Sequence, residues 1–415
     1  MKRGNPPHLR QPTGQGPPNA GADDLAPGRW AALIGLAVAV VLSMAPWFSA
    51  AAVLPQLRAL WTLNAAEASW LTLAVQLGFV LGALLSAALN LADRISPQRL
   101  ILAGALLAAG ANLGLLVAQG ALEAIALRAL TGAAMALVYP PALKAMAAWF
   151  RSGRGVALGV MVGALTLAAA LPHLVNGLGG ANWQGVIVTT SLLAVLGGFL
   201  ALRVSSGPHH FPAATFQPAQ AWRILTERKM ALTTLGYLGH MWELYAMWAW
   251  FAVFFAGVLS DAGMAEPGRG AAYATFAVVG VGALGCYLGG VLGDRWGRTR
   301  LTTLAMCLSG SCALALAALA NAAPIVVLAL SLLWGFWIIA DSAQFSTIVS
   351  EIADPAYVGT ALTAQLALGF LLTAASIALV PVLVGAGGWT LAFTVLAVGP
   401  FLGAWAMQQL ARQLG

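Results

Sequence analysis

Long apolar runs constrain this chain more than any other feature of its sequence. They recur from Trp30 to Met407, each about 20 residues long, with short polar breaks between them. A helix of that length crosses the ~30 Å hydrocarbon core of a bilayer. Hydrophobic residues make up 60% of the chain and charged residues only 8%, which excludes an ordinary soluble domain. The sequence therefore predicts an integral membrane protein.

The runs are typical of helices, because none shows the alternation over about ten residues that a membrane β-barrel requires. The predicted fold class is all-α, with twelve membrane-spanning helices. We place them at residues 30–54, 68–91, 100–118, 124–148, 156–178, 185–204, 230–259, 270–292, 301–319, 324–350, 360–383 and 389–410.

Basic residues collect on one side of the predicted membrane. A net charge of +7 would suggest nucleic-acid binding if it formed a patch on a soluble domain, but most of these residues lie in loops between spans. With a cytoplasmic N-terminus, one side carries Lys2, Arg3, Arg10, Arg29, Arg94, Arg99, Arg151, Arg154, Arg203, Arg223, Arg228, Lys229, Arg295, Arg298, Arg300 and Arg412. Only Arg58 and Arg269 fall on the other side. The positive-inside rule therefore predicts two cytoplasmic termini and no nucleic-acid partner.

The longest internal break, Val204 to Lys229, divides the chain into two sets of six spans. We predict a disordered cytoplasmic tail at 1–28, a six-helix bundle at 29–204, a cytoplasmic linker at 205–229 and a second six-helix bundle at 230–415. The tail is rich in Pro and Gly and lacks the apolar segment and cleavage site of a signal peptide.

The two halves carry related loops. "NLADRISPQRL" follows the second span and "GVLGDRWGRTRL" follows the eighth, so an Asp-Arg pair stands at the same place in each half. The second loop resembles the signature of the major facilitator superfamily of secondary transporters, and the fourth span opens with a similar Arg-x-x-x-Gly pattern. The residues that carry this resemblance are Gly290, Asp294, Arg295, Gly297, Arg298, Arg128 and Gly132. The first loop keeps Asp93 and Arg94 but replaces the Gly-Arg with Ser96–Pro97.

The resemblance implies two bundles that rock around a site near the middle of the membrane. It also implies a cytoplasmic gate, whose charges bridge to a neighbouring helix end in the outward-facing state. The residues of this gate are Asp93, Arg94, Asp294, Arg295 and Arg298.

One stretch also resembles a subfamily. Tyr139 to Gly159 is similar to the corresponding part of bacterial anion porters of the nitrate/nitrite and cyanate type, which implies a bacterial inner membrane. Gly163 to Gly180 departs from their Gly-rich nitrate signature and from the pattern of drug/proton antiporters. The cargo therefore stays open.

Six ionisable side chains fall within the predicted spans, where each is costly to bury and is a functional candidate by default. They are Arg128, Lys144, His173, His240, Glu243 and Asp341.

Glu243 lies near the middle of the seventh span. His240, Met247 and Trp250 share its helical stripe, and the resemblance implies that this stripe faces the central cavity. We interpret Glu243 as a proton carrier; the alternative is a packing role. A metal site is not predicted, because this His-Glu pair supplies only two ligands and no second pair appears.

Asp341 in the tenth span shares a face with Trp337 and Gln344 and is the second candidate for proton binding or gating. Its alternative role is an interhelical hydrogen bond. Lys144 follows Tyr139 and two prolines, which break the fourth span locally. It is a candidate for binding an anion or pairing with Asp341, and the alternative is that it snorkels to the membrane interface.

Arg128 stays charged at any relevant pH and can hold a carboxylate or oxyanion through two hydrogen bonds. A functional and a structural role are both open for it. His173 follows Pro172 near the outer end of the fifth span, where an interfacial or packing role competes with a functional one.

Together these patterns predict a secondary active transporter of a small solute, coupled to protons and specific for a small organic or inorganic anion. The anion hypothesis depends on two basic residues of the first bundle that would face two acidic residues of the second. Proton-driven efflux of cationic or amphipathic compounds is the alternative, because acidic residues beside tryptophans also suit cations.

No enzymatic constellation and no cofactor are predicted. The expected partners are a small-molecule solute, protons and the lipid bilayer, and a monomer is expected. Cys286, Cys307 and Cys312 all fall within spans and imply no disulfide framework.

Overall fold

The computed structural model describes residues 26–89, 91–150, 153–179, 182–208, 226–354 and 358–414. The regular secondary structure of these ranges is helical, as the apolar runs predict. Residues 1–25 of the predicted tail and 209–225 of the predicted linker lie outside the described residues.

We group the helices by the predicted division of the chain into two halves. The first half contains α1 (Arg29–Ser43), α2 (Ser49–Ala52), α3 (Leu54–Trp61), α4 (Ala65–Ala88), α5 (Leu91–Arg94), α6 (Pro97–Gly114), α7 (Ala121–Met135), α8 (Tyr139–Ala147), α9 (Arg154–Leu178) and α10 (Trp183–Ala201). The second contains α11 (Arg228–Asp261), α12 (Pro267–Gly280), α13 (Gly282–Trp296), α14 (Arg298–Leu319), α15 (Pro324–Trp337), α16 (Ser342–Ile352) and α17 (Val358–Leu414).

Nine helical segments within the described ranges are long and apolar enough to cross a membrane, so the chain is an all-α membrane protein. The predicted number of twelve spans stays a prediction. α1 is shorter than a full span, and α17 joins two predicted spans at Gly387 and Gly388, where the backbone leaves helical geometry. Gly388 has a φ of 70°, a left-handed conformation that glycine adopts without steric strain.

Two spans of the first half break at prolines. α1 ends at Ser43, and Pro46 stands in the turn before α2, although the predicted span 30–54 is continuous. The break in the fourth span agrees with the sequence. α8 begins at Tyr139 and accommodates the two prolines in its first turn, where a missing N–H costs no helical hydrogen bond.

The predicted tenth span, 324–350, also breaks, although no proline or glycine stands at the break. Between α15 and α16 the backbone makes the tighter i→i+3 bonds, as from the amide of Ala340 to the carbonyl of Trp337 at 3.3 Å. α13 packs closely here. The Cys286 thiol donates a weak hydrogen bond to the Ile339 carbonyl, with 3.6 Å between sulfur and oxygen.

Glycines let the two halves meet on the side of the membrane where α9 and α14 begin and α17 ends, which we call the basic side. A Cβ atom at Gly159 of α9 would lie 2.6 Å from the carbonyl oxygen of Cys286 on α13. A Cβ atom at Gly290 would lie 2.7 Å from the carbonyl oxygen of Gly155. The two backbones approach closely only because these positions lack side chains.

The halves also touch near the opposite side. Arg269 on α12 donates from Nε to the carbonyl oxygen of Gly177 on α9 at 3.2 Å. A Cβ atom at Gly177 would lie 2.8 Å from the ring of Tyr273 on α12. The boundary between the halves is therefore packed at both of its ends.

A methyl group added at Gly159 is expected to hold the halves apart on the basic side, because the neighbouring backbone carbonyl cannot rotate away. We expect the Cys286 thiol, which is 1% exposed, to react about tenfold faster with a membrane-permeant maleimide in Gly159→Ala. Cys307→Ser and Cys312→Ser remove the other thiols. Gly257→Ala is the control, since its methyl would meet nothing within 4 Å. An unchanged labelling rate in Gly159→Ala would contradict this role.

Candidate functional site

Two ionisable side chains meet at the break between α15 and α16. Nδ1 of His240 on α11 lies 2.9 Å from Oδ1 of Asp341, and these side chains are only 1% and 2% exposed. Their angles fall outside those of a hydrogen bond, and among the described residues neither the His240 nitrogens nor Oδ1 of Asp341 have a hydrogen-bond partner. Buried polar atoms are normally paired, so this pair retains capacity to bind a proton or a ligand.

The pair lies beside the boundary between the halves. Its carboxylate is close enough to Cys286 for an electrostatic interaction, and the Cys286 sulfur is 3.7 Å from Oγ1 of Thr166 on α9 of the first half. Tyr139 on α8 interacts electrostatically with Cys286 and with Tyr237. Tyr237 in turn stacks on the histidine of the pair, with 6.2 Å between ring centroids. Two side chains of the first half, Thr166 and Tyr139, therefore interact with neighbours of the pair.

Glu243 turns away from this boundary. Ser309 on α14 donates to its Oε1, and Trp334 on α15 donates from Nε1 to its Oε2 at 3.3 Å. Tyr245, two residues along α11, stacks on Phe48 of the first half at 6.2 Å. Residues two apart on a helix project about 200° apart, so Glu243 points into its own half. The predicted cavity-facing orientation of Glu243 is not what the structure shows.

The rest of the predicted stripe also lies inside the second half. Met247 is buried, and Trp250 donates from Nε1 to the carbonyl oxygen of Ile377 on α17 at 3.0 Å. Trp337, predicted to share a face with the aspartate of the pair, is half-buried against Phe336, with ring centroids 4.9 Å apart. The stripe therefore contributes one residue, its histidine, to the pair.

Arg128 is buried inside the first half, and all three of its guanidinium nitrogens donate. Nε donates to the carbonyl oxygen of Leu71 at 3.3 Å, Nη1 to that of Pro46 at 2.9 Å, and Nη2 to that of Trp47. The last two carbonyls belong to the turn after α1. Arg128 therefore caps the broken first span and does not face the acidic residues of the second half.

Two residues that the sequence analysis did not single out complete this network. Nη1 of Arg128 also lies 3.3 Å from Oγ of Ser49 and 3.2 Å from Oδ1 of Asn112. Asn112 donates from Nδ2 to Oγ of Ser191 on α10 at 3.0 Å. The network joins α2, α6, α7 and α10. Asn112 is an amide within an apolar span, and this feature of the sequence could have identified it as a candidate for an interhelical hydrogen bond.

Lys144 and His173 are the two remaining ionisable candidates. Lys144 is half-buried on α8, and its position five residues after Tyr139 places it about 140° around the helix from that tyrosine. Asp341 faces His240 instead, with 2.9 Å between Oδ1 and Nδ1. His173 is 1% exposed on α9, and its Nδ1 has no hydrogen-bond partner among the described residues.

Arg298 organises a cluster on the basic side. Its Nε donates to Oε1 of Glu351 at 2.7 Å, and its Nη1 donates to Oδ1 of Asp294 at 3.1 Å. Nη1 also donates to Oε1 of Gln344 at 2.9 Å, and Nε2 of Gln344 donates to the carbonyl oxygen of Gly289 at 3.1 Å. Gln344, predicted for the substrate pathway, therefore lies in this cluster.

Asp294 connects the cluster to the first half. A Cβ atom at Gly155, in the first turn of α9, would lie 2.5 Å from Oδ1 of Asp294. The N-terminus of a helix carries partial positive charge, so a carboxylate there stabilises the contact between the halves. Arg94 and Arg295 are exposed, and the side chain of Asp93 lies outside the described residues.

Aromatic side chains fill the boundary between the halves, and we call this group the aromatic boundary. It comprises Trp47, Phe48 and Phe79 of the first half and Tyr245, Trp248 and Phe370 of the second. Centroids across it are 5.0 Å apart for Phe79 and Phe370 and 6.3 Å apart for Trp47 and Tyr245. Several polar atoms of this region are buried and have no hydrogen-bond partner among the described residues. They are Nε1 of Trp47, the amide of Gln76 and Nε2 of Gln365.

A comparison with protein-family models matches residues 36–377 to the Major Facilitator Superfamily. The match covers most of the chain. The chain belongs to the Major Facilitator Superfamily. A search of the curated proteins found no match.

Membership in the Major Facilitator Superfamily confirms the predicted family and makes the chain a multi-pass membrane protein that acts as a secondary transporter of a small solute. This is a family of transporters and not of enzymes. The nitrate/nitrite and cyanate resemblance, the bacterial inner membrane and the cytoplasmic termini stay predictions. So do the division at 205–229 and the monomeric state.

Proposed function

We propose that this Major Facilitator Superfamily protein exchanges protons for small organic or amphipathic cations, with His240 and Asp341 as the proton site. The observation that carries the proposal is the burial of a histidine and an aspartate beside the boundary of the halves with unused hydrogen-bonding capacity. Ionisable groups at membrane depth are expensive, and in transporters they mark ion and proton pathways.

Two helix breaks support this location. Asp341 stands at the break between α15 and α16, and Tyr139 stands at the break between α7 and α8. These breaks fall in the fourth and tenth predicted spans, which occupy the same place in the two halves. Interrupted helices often form substrate and ion sites, because irregular backbone is tolerated in a membrane only where protein or a cavity surrounds it.

The chemistry of the boundary favours a cation over an anion. Aromatic faces attract cations, and the carboxylate of Asp341 supplies the opposite charge. The anion hypothesis counted Arg128 among the residues that face this carboxylate, but Arg128 donates to carbonyl oxygens within its own half. When the halves separate, rings such as Trp47 and Tyr245 move apart and can receive a flat cation between them.

Proton transport and cation transport are coupled because both use the carboxylate of Asp341. Asp341 cannot hold a proton and a cationic cargo at once, so binding of the cation releases the proton and protonation releases the cation. His240, 2.9 Å away, can accept the proton as it leaves. Among the described residues, Glu243 and Tyr237 on α11 and Cys286 on α13 are further titratable groups beside this pair, and Tyr139 on α8 interacts with Cys286 and Tyr237.

Transport by reconstituted protein tests the cargo class. In proteoliposomes with an imposed pH gradient, we expect ethidium to accumulate on the acidic side and to reverse direction when the gradient is reversed. Benzoate and nitrate are the anionic comparisons. Movement of these anions without movement of ethidium would restore the anion hypothesis. Movement of ethidium that ignores the pH gradient would contradict proton coupling.

A further inference from the structure

An open groove lies on the outer wall of the second half, between the start of α14 and the end of α17. It encloses about 460 Å³. Arg300, Thr303, Gln408 and Arg412 contribute polar side chains, and Leu304 and Cys307 contribute apolar ones. It shares no residue with the proton site or the aromatic boundary.

The groove has a positive mouth. Arg300 and Arg412 are exposed, and within the described residues neither makes an ion pair with a carboxylate. None of the described residues that line the groove is acidic. Two unneutralised guanidinium groups therefore face the same space, and this is the arrangement that binds a phosphate group.

The interior of the groove is apolar at the depth of the acyl chains. Leu304 and Cys307 follow Arg300 by four and seven residues, which places them about 6 and 10 Å further along α14 toward the middle of the membrane. A free phosphate would use the arginines only. A phospholipid would use the arginines with its headgroup and the apolar wall with an acyl chain.

We propose that this groove binds an anionic phospholipid, with its phosphate between Arg300 and Arg412 and one acyl chain along Leu304 and Cys307. Basic pockets between membrane helices near the cytoplasmic surface bind such headgroups by charge and hydrogen bonding. The site is independent of the transported solute, so a failure of the lipid proposal would leave the proposed exchange unaffected, and the reverse also holds.

Native mass spectrometry of the full chain in detergent tests the site with phosphatidylglycerol and with phosphatidylcholine of the same acyl chains. The double variant Arg300→Gln, Arg412→Gln is expected to bind phosphatidylglycerol about thirtyfold more weakly, because each basic residue near the surface contributes about fivefold. Arg300→Lys, Arg412→Lys is expected to retain most of the binding, since the charges remain.

The matched control is Arg99→Gln, Arg203→Gln, which removes two exposed charges from the same membrane side of the first half. It is expected to leave phosphatidylglycerol binding unchanged. Equal losses in both double variants would show a general charge effect and overturn the site. Equal affinity for the two lipids would also overturn it. Inorganic phosphate that binds with the same dependence on Arg300 and Arg412, while the lipid does not, would assign the groove to free phosphate.

Discussion

Replacement of Asp341 by Asn is expected to abolish pH-driven cation exchange in proteoliposomes, down to the rate of protein-free vesicles. The amide has nearly the same shape but neither ionises nor binds a proton. The variant therefore loses the charge that attracts the cargo and the group that exchanges the proton. Asp341 is 2% exposed and its Oδ1 lies 2.9 Å from Nδ1 of His240, so the variant also removes the carboxylate that faces this histidine.

Glu243→Gln is the matched variant, because it also neutralises a buried carboxyl in the second half. An amide at this position can accept from Trp334 and donate to the hydroxyl of Ser309, so the local contacts persist. We expect ethidium exchange to continue. Loss of exchange in Glu243→Gln with exchange preserved in Asp341→Asn would move the proton site to Glu243, as the sequence alone suggested.

Arg128→Lys is expected to destabilise the protein by about 3 kcal/mol, although the charge is retained. An ammonium group has three donors at one point and cannot span the carbonyl oxygens that the planar guanidinium reaches. The carbonyls of Pro46, Trp47 or Leu71 then lose the hydrogen bond that Arg128 donates inside the membrane, where no water replaces it. A lower midpoint of thermal denaturation in detergent measures this loss.

Arg58→Lys is the control for that measurement, because Arg58 is an exposed arginine on α3, just after the predicted first span. Its denaturation midpoint is expected to match that of the unsubstituted protein. If Arg128→Lys were equally stable but failed to exchange ethidium, Arg128 would act in transport and not as the cap of the broken first span.

Much of the fold follows from local features of the sequence. The apolar runs predict helices because a bilayer tolerates little else, and the Asp-Arg loop at Asp294 indicates the family. The contacts of Arg298 with Asp294 and Glu351 agree with a charged cluster at that loop. Pro140 and Pro141 mark the break of the fourth span. Each of these inferences needs only a short stretch of chain.

Other features depend on residues that are distant in sequence. The break before Asp341 has no proline or glycine of its own; it occurs where Cys286 of α13 donates to the carbonyl of Ile339. Arg128 donates to the backbone carbonyls of Leu71, Trp47 and Pro46, which lie 57 to 82 residues away in the sequence. No local pattern indicates such contacts.

The sequence alone is enough to indicate an all-helical membrane protein of the transporter family, because hydrophobic length and loop motifs are local properties. It also limited the chemistry to a few intramembrane ionisable residues. Which of these residues meet at the boundary depends on the packing of helices that are distant in sequence. A helix residue is directed by its rotation and by its packing partners, and these turned Glu243 toward Ser309 and Trp334 while bringing His240 and Asp341 together.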